Sequence, residues 1–461
     1  MSRERLVVVG GDAAGMSAAH QALRTASRSG LDLDVVAFER TGRTSYSACG
    51  IPYWVAGDLD DPHDLVARTP DEHRARGVDL RTGASVEALD LDRREVRALV
   101  DGAEVVVGFD RLVLATGARP VVPDWARSDS GSLLPGVLPV KSWDDGLAWL
   151  DVMARVPPPA RAVVVGAGYI GLEMAEALVR RGYPVTMLEL AEVMPSIDAD
   201  MGARVREHLV AAGVGVRVGR GVDGLSTGPG GRVDGVVVGD DVLPADLVVL
   251  ALGVRPASDL GAKAGLGTGG RGGYLPDDGQ RVADGVWAAG DCCESVHRVS
   301  GERVFVPLGT HANKQGRVAG ENAAGGSVRF AGVLGTAITR FDAGGVAVEV
   351  ARTGLGAADV TRLGLDAASY VSAGKTASGY MPEYRPMTTK LVAERGTRRL
   401  LGGQIVGGTS AGKRIDTIAT ALWGGLTVDD LAAADLAYAP PFATVWEAVQ
   451  LAARRLADRM Q

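Results

Sequence analysis

"RLVVVGGDAAGMSAAHQALR" (5–24) and "RAVVVGAGYIGLEMAEALVR" (161–180) decide the fold. Each is a short β-branched run, a glycine-rich turn and an alanine-rich stretch with helical spacing. Each leads to a second apolar strand ending in an acid, "LDVVAFER" with Glu39 and "PVTMLEL" with Glu189. One Gly-x-Gly-x-x-Gly alone is weak. Two copies with strand, helix and acid in register specify the βαβ dinucleotide-binding unit twice. The first glycine makes the turn, the second admits a pyrophosphate, and the third lets the helix pack on the strand with its N-terminus toward the phosphates. Gly166, Gly168 and Gly171 match in full. In the first copy Gly10 and Gly15 match, but Asp12 takes the middle place. A carboxylate beside a pyrophosphate is unexpected on charge grounds. Either its side chain turns away to cap the helix or the backbone path differs.

Outward from these units, "FDRLVLATGARP" (109–120) and "GVWAAGDCCE" (285–294) are strands followed by Thr116-Gly117 and Gly290-Asp291. They flank the complete second unit, which implies that the first domain is interrupted. "VPPPAR" (156–161) reads as a linker. From about Gly332 the pattern shifts to antiparallel strands within 335–354, 387–394 and 399–408, then helices over 412–424, 428–435 and 443–458. The expected fold class is α/β: two Rossmann-like domains plus a C-terminal α+β domain. The expected division is 1–120 with 256–330, then 121–255, then 331–461.

Composition fits this. The 461 residues suffice for about three domains. Apolar residues are 46%, charged residues 23% and the net charge is −7, which argues against nucleic acid as a partner. No apolar run reaches the ~18 residues of a membrane span, and the N-terminus enters a strand at once, so the expectation is a cytoplasmic protein with no membrane partner. The three cysteines, Cys49, Cys292 and Cys293, are too few for a four-thiol zinc site or a disulfide framework, and no metal is expected.

The order of dinucleotide motif, Ala-Thr-Gly, second dinucleotide motif and Gly-Asp resembles the FAD-dependent pyridine nucleotide–disulfide oxidoreductases along essentially the whole chain. The resemblance implies FAD on the first unit, a nicotinamide cofactor on the second, and Asp291 holding the ribityl or phosphate region of the flavin. It also implies a C-terminal domain that makes a homodimer and completes the partner's site. "SYSACGIPY" (45–53) has no second cysteine at the spacing of the paired-cysteine branch: positions 44 and 54 are Thr and Trp. It is similar to the Ser-Phe-x-x-Cys-x-x-Pro-Tyr motif of the single-cysteine branch, which includes coenzyme A-disulfide reductases, NADH oxidases, NADH peroxidases and persulfide reductases. "YAPPF" (438–442) resembles the tyrosine-bearing C-terminus of the coenzyme A-disulfide reductases.

The resemblance makes Cys49 the redox sulfur, reduced through the flavin and attacking a disulfide as thiolate to keep half of it as a mixed disulfide. With no second protein thiol, its resting partner is a bound thiol such as coenzyme A or an oxygen in a sulfenic acid. A helix N-terminus and the flavin edge are expected to lower its pKa. Tyr438 of the other subunit is the implied acid, with Tyr380 as a second tyrosine reaching that site and Tyr384 competing for the role. Gln21, Arg24 and Ser45 match positions that contact coenzyme A; Ala48 stands where an asparagine often precedes the cysteine. Tyr169 matches a tyrosine covering the flavin, and Glu173 a glutamate near the nicotinamide. Arg40, Ser45, Ile170, Gly253, Pro307 and Asn313 join the glycines and acids as cofactor contacts. The helix in "HANKQGRVAG" (311–320) is expected to face the flavin ring. Glu189, with no arginine in "LELAEVM", favours NADH over NADPH. Cys292 and Cys293 read as buried structural residues. The expected activity is NAD(P)H-dependent reduction of a low-molecular-weight disulfide such as coenzyme A disulfide. The alternatives are an NADH oxidase or peroxidase, or a persulfide or polysulfide reductase. Persulfide reductases often carry a C-terminal rhodanese-like domain, for which a chain ending at Gln461 leaves no room.

Overall fold

The computed structural model describes residues 3–460. The two β-branched runs become central strands, Glu4–Val9 and Ala162–Val165, and the sheets grow outward from them. The first sheet has six strands in the order Arg281–Ala283, Val286–Ala288, Arg111–Leu114, Glu4–Val9, Leu33–Glu39, Val78–Thr82. All pair in parallel except the outermost, Arg281–Ala283. The second has five parallel strands, ordered Gly215–Val218, Val185–Glu189, Ala162–Val165, Leu247–Leu250, Val137–Pro139. Strands buried on both faces carry continuous apolar runs rather than alternation: in the first sheet Leu6 and Val8 face helices and Val7 faces the meander of residues 84–108, and in the second Val164 faces helices and Val163 the meander of residues 224–244. Two antiparallel meanders, residues 84–108 and 224–244, are inserted beside these sheets.

The C-terminal region is a five-stranded antiparallel sheet, ordered Ala337–Ala343, Val346–Gly354, Leu400–Gly407, Pro386–Glu394, Ala367–Lys375. Its last strand escaped the sequence reading because "AASYVSAGK" is rich in small residues and lacks a strong apolar alternation. The helix expected over 443–458 begins only at Ala448. Pro440 and Pro441 keep the preceding chain out of a helix, and Glu447 starts it by accepting a hydrogen bond from Val449 N at 2.6 Å. The other two helices are Ile415–Gly424, entered through a short 3-10 turn, and Val428–Ala433.

One apolar cluster ties the three regions together around the cysteine loop. Ile51 and Trp54 from the helix after Cys49, Leu172 and Met174 from helix Tyr169–Arg180, and Phe341 and Val348 from the C-terminal sheet belong to it.

Candidate active site

The two glycine turns are built alike. Gly10 and Gly166 take φ of 107° and 99°, and a Cβ on either would lie 2.1 Å from Ala115 O or 2.4 Å from Ala251 O. A Cβ on Gly15 would fall 1.8 Å from Gly10 O, and one on Gly171 2.0 Å from Gly166 O. The acids brace these turns. Glu39 Oε2 accepts from Gly11 N at 2.9 Å and its Oε1 from Thr41 N at 2.8 Å. Glu189 Oε2 accepts from Ala167 N at 2.8 Å. At the middle position the turns differ: a Cβ on Gly168 meets nothing within 4 Å.

Asp12 does not cap its helix. It stands at the N-cap position without a side-chain cap bond, and its Oδ1 is buried without a partner. Burial pushes its carboxyl up to about 6, the Glu39 charge adds to this, and the nearby Ala13 N–H and Lys141 offset part of it.

Thr116 Oγ1 donates to Ala257 O at 2.6 Å and Gly117, at φ 70°, accepts from Ala257 N, so the two crossings between regions are fastened together there. Gly253 lies on the same crossing, its carbonyl accepting from Val121 N at 2.9 Å. Gly290 N donates to Gln315 Oε1 at 2.9 Å. The helix Gly309–Ala323 lies so close to helix Ala13–Ser29 that a Cβ on Gly316 or Gly320 would reach Ala14 O or Ala18 O at 2.2 and 2.1 Å. Asn313 Oδ1 accepts from Ser17 Oγ at 2.8 Å across this contact, and Pro307, half-buried, precedes the helix. Asp291 Oδ2 is 3.2 Å from Lys141 Nζ. Arg40 is exposed just after Glu39, and Ile170 is half-buried beside Gly171.

Cys49 sits in a short 3-10 turn, Ala48–Gly50, leading into helix Ile51–Ala56. It is solvent-accessible, whereas Cys292 and Cys293 are buried with sulfurs 3.8 Å apart. In the chain alone the surroundings of the thiol disfavour its charged form. Desolvation pushes it up and the Glu173 charge adds to this, while Lys141 works the other way. Glu173 accepts from Thr339 Oγ1 at 2.9 Å, and burial raises its carboxyl to about 7. Tyr169 OH accepts from Ser196 Oγ at 3.3 Å.

Ser45, with φ 49°, opens the cysteine loop. Its carbonyl accepts from Ala67 N at 2.8 Å, and the preceding Thr44 hydroxyl donates to Gly11 O, which ties the loop to the first glycine turn. Gln21 is not open to a ligand: it is buried, its amide donating to Glu321 Oε2 at 2.7 Å while its Oε1 accepts from Arg24 Nη2 at 2.6 Å. It therefore orients Arg24, which is exposed. Tyr380 and Tyr438 lie on two loops of the C-terminal region joined by Ser378 N donating to Pro440 O at 2.9 Å, and both are exposed, at 76% and 48%. Arg414 clamps these loops, donating to Thr376 O at 2.7 Å, Phe442 O at 2.5 Å and Glu447 Oε1 at 2.5 Å.

Lys141 and Trp143 escaped the sequence reading. They follow strand Val137–Pro139 in a stretch with no motif. Trp143 is 3% exposed, with Arg43 4.5 Å over its ring and Tyr46 edge-on at 5.7 Å, yet its indole N–H has no partner.

The chain matches the pyridine nucleotide-disulphide oxidoreductase family over residues 4–316 and its dimerisation domain over 346–449. It is 36% identical to an NAD(P)H coenzyme A polysulfide/persulfide reductase of Pyrococcus horikoshii, over 98% of both chains. It is 31% identical to an NADH oxidase of Methanocaldococcus jannaschii, over 97% of this chain and 98% of that one. An NAD-dependent persulfide reductase from A. fulgidus superposes with a TM-score of 0.92 at 33% identity, covering 99% of this chain and 83% of that one. The chain belongs to the pyridine nucleotide-disulphide oxidoreductases and is an FAD-dependent NAD(P)H oxidoreductase. Among the described residues no helix is long and apolar enough to cross a membrane.

The residues present fit the flavin. Trp143 Nε1 is a buried donor without a partner, and Gly117 leaves open space where a side chain would stand; Asp12, a carboxylate with an unpartnered oxygen at the first glycine turn, is the one residue that does not favour a pyrophosphate there.

Proposed function

We propose that this enzyme uses NADH to reduce the S–S bond of a low-molecular-weight thiol derivative, a disulfide or persulfide of the coenzyme A class, through Cys49. The observation that carries this is the isolation of Cys49: it is the solvent-accessible cysteine, and the other two are buried beneath the Gly290-Asp291 turn. A sulfur without a protein partner takes its second sulfur from solution. The P. horikoshii relative, named for polysulfide/persulfide reduction and aligned over 98% of its own length, supports the persulfide reading.

Residues 1–120 with 256–330 hold the flavin, 121–255 the nicotinamide cofactor and 331–461 the dimer contact. Gly10, Gly15, Glu39, Thr116, Gly117, Gly290 and Asp291 hold FAD, which when bound supplies the two-electron link between nicotinamide and sulfur. Gly166, Gly168, Gly171 and Glu189 hold NADH. Two details favour NADH over its 2′-phosphate. Glu189 puts a carboxylate at the strand end, and one cation of the segment that follows, Arg206, is engaged by Glu192 at 3.0 and 3.1 Å. Cys49, as thiolate, attacks one sulfur of the substrate and forms a mixed disulfide; the other sulfur leaves as thiolate and takes a proton. Because burial and Glu173 disfavour the thiolate in the chain alone, Lys141 is the compensating charge in reach of Cys49. Arg24, with Arg68 and Arg76 close to the same helix, offers cations for an anionic tail on the thiol. Tyr438 and Tyr380, exposed and held by Arg414, are presented to the site of a second copy, where Tyr438 protonates the leaving thiolate.

Cys49→Ser tests the reading: disulfide or persulfide turnover is expected to fall about a thousandfold or more while flavin content stays normal. Undiminished turnover overturns it. Mass spectrometry of the non-reduced protein separates the acceptors. A coenzyme A adduct on Cys49 supports the thiol reading, and one or two added oxygens support the oxidase reading that the M. jannaschii relative brings in.

A further inference from the structure

Three side chains stand end to end between the surface of helix Ala13–Ser29 and the cysteine loop. His20 Nε2 is 2.7 Å from His73 Nδ1, and His73 Nε2 is 2.9 Å from Ser45 Oγ. The imidazole centres are 5.0 Å apart and their planes differ by 26°. A 2.7 Å N···N separation within that distance places both nitrogens between the ring centres, so the rings meet edge to edge through a hydrogen bond. His73 is 1% exposed.

Each member can donate or accept, and which nitrogen carries the proton follows from the network. The chain therefore has two polarities. In one, Ser45 donates to His73, which donates to His20. In the other, His20 donates from Nε2 to His73, which donates from Nε2 to Ser45, and the Ser45 hydroxyl keeps its own proton free. The charges facing the chain select between them. Arg68, Arg24 and Arg76 face His20; Arg68, Arg76 and Glu72 face His73. The Asp12 carboxyl lies at the inner end, beside the Ser45 backbone. Cations outside and a carboxyl inside drive the mobile protons inward, toward Ser45. Burial and the same arginines hold both rings neutral, with values lowered to about 4, so the arrangement persists through the working pH range. The Ser45 backbone is pinned by Ala67 and the Thr44 proton is committed to Gly11 O, so the Ser45 hydroxyl rotor is the remaining freedom, with Thr44 Oγ1, 3.5 Å away, as its one long contact besides His73.

We propose that His73, braced by His20, is a positioning residue that turns the Ser45 hydroxyl into a fixed hydrogen-bond donor toward the thiol derivative held beside Cys49. This rests on the reading of Cys49 given above.

The test uses the FAD-loaded full chain and two variants. His73→Phe fills the space without bonding, whereas His73→Gln can still donate from Nε2 to Ser45 and accept from His20. His73→Phe is expected to lower kcat/KM for coenzyme A disulfide about tenfold, with the rate of flavin reduction by NADH unchanged, and His73→Gln to restore it to within about twofold. Wild-type values in His73→Phe, or equal impairment of both variants at normal flavin content, overturn the proposal. A second readout does not depend on the substrate. In protein labelled with 15N-histidine, His20 and His73 are expected to carry their protons on Nε2, and an Nδ1–H tautomer at His73 overturns the proposal. If the tautomers are as expected but the wild type reduces no disulfide or persulfide, the function reading fails and the polarity of the chain stands.

Discussion

The two glycine turns have the same skeleton and differ at one side chain. In both, a glycine in the left-handed region starts the turn, a carboxylate from the next strand grips the amide after it, and a third glycine lets the helix touch the first carbonyl. Gly168 faces open space, whereas Asp12 is half-buried with one buried, unpartnered oxygen. The outer glycines are therefore demanded by backbone contacts of about 2 Å, while the middle position is set by what each turn holds. The acids do more than the sequence implied: before any ribose arrives, they already fasten the turn.

The largest break in this comparison comes from the third glycines. Gly15→Ala and Gly171→Ala each drive a methyl into a carbonyl oxygen, at 1.8 and 2.0 Å, and backbone cannot yield as a flexible side chain does. Overpacking of this kind costs about 1–3 kcal/mol or more, and here it falls on the cofactor turn. Gly15→Ala is expected to purify without flavin colour. Gly171→Ala is expected to stay yellow but raise KM for NADH more than about tenfold. Absorbance spectra and steady-state kinetics read both outcomes. Loss of flavin from both variants alike would break the assignment of one cofactor to each turn.

Asp12 gives the next effect, and its sign follows from linkage. Its folded value, raised from 3.8 to about 6, means the folded apoprotein holds this proton more tightly than the unfolded chain. That contribution is fully present below pH 3.8 and lost as pH rises through 6. Above that pH, Asp12→Asn removes a desolvated charge that the Ala13 and Ser45 N–H groups and Lys141 offset only in part. The variant apoprotein is expected to be more stable by about 2–3 kcal/mol at pH 8, with the difference closing toward pH 4. Urea unfolding at the two pH values checks this. A constant difference across the range would mean that Asp12 is solvated.

The same contrast shows what the sequence could convey. Glycines imposed by backbone contact leave a fixed spacing, and so do paired strands ending in acids; these alone placed both turns, Thr116-Gly117 and Gly290-Asp291. The site's electrostatics were not legible. Lys141 reaches Asp291 across 150 residues from a junction without a motif, and His20 meets His73 across 53. Neither pairing has a local pattern, because each is made by tertiary packing. Asp12 was visible as a departure, but its electrostatics depend on Glu39, Lys141 and the Ser45 N–H, which tertiary packing brings to it. The exposed tyrosines were legible as a motif, while the Arg414 clamp that holds their loops is not.

The smallest effect concerns the residue after each acid. Arg40 follows Glu39 and Leu190 follows Glu189; both are exposed, Leu190 at 70%. A 2′-phosphate needs a cation there, and Glu189 must stay because it holds Ala167 N. Leu190→Arg keeps the brace and adds the charge at a position that packs against nothing the fold requires. Exposed charge pairs yield about 0.2–1 kcal/mol, so KM for NADPH is expected to fall about twofold to fivefold, with KM for NADH and thermal stability essentially unchanged. Comparing the two cofactors in wild type and variant decides it. A wild type that already prefers NADPH would show that Glu189 braces the turn without setting the choice of cofactor, and the two turns would then share their acid for structural reasons alone.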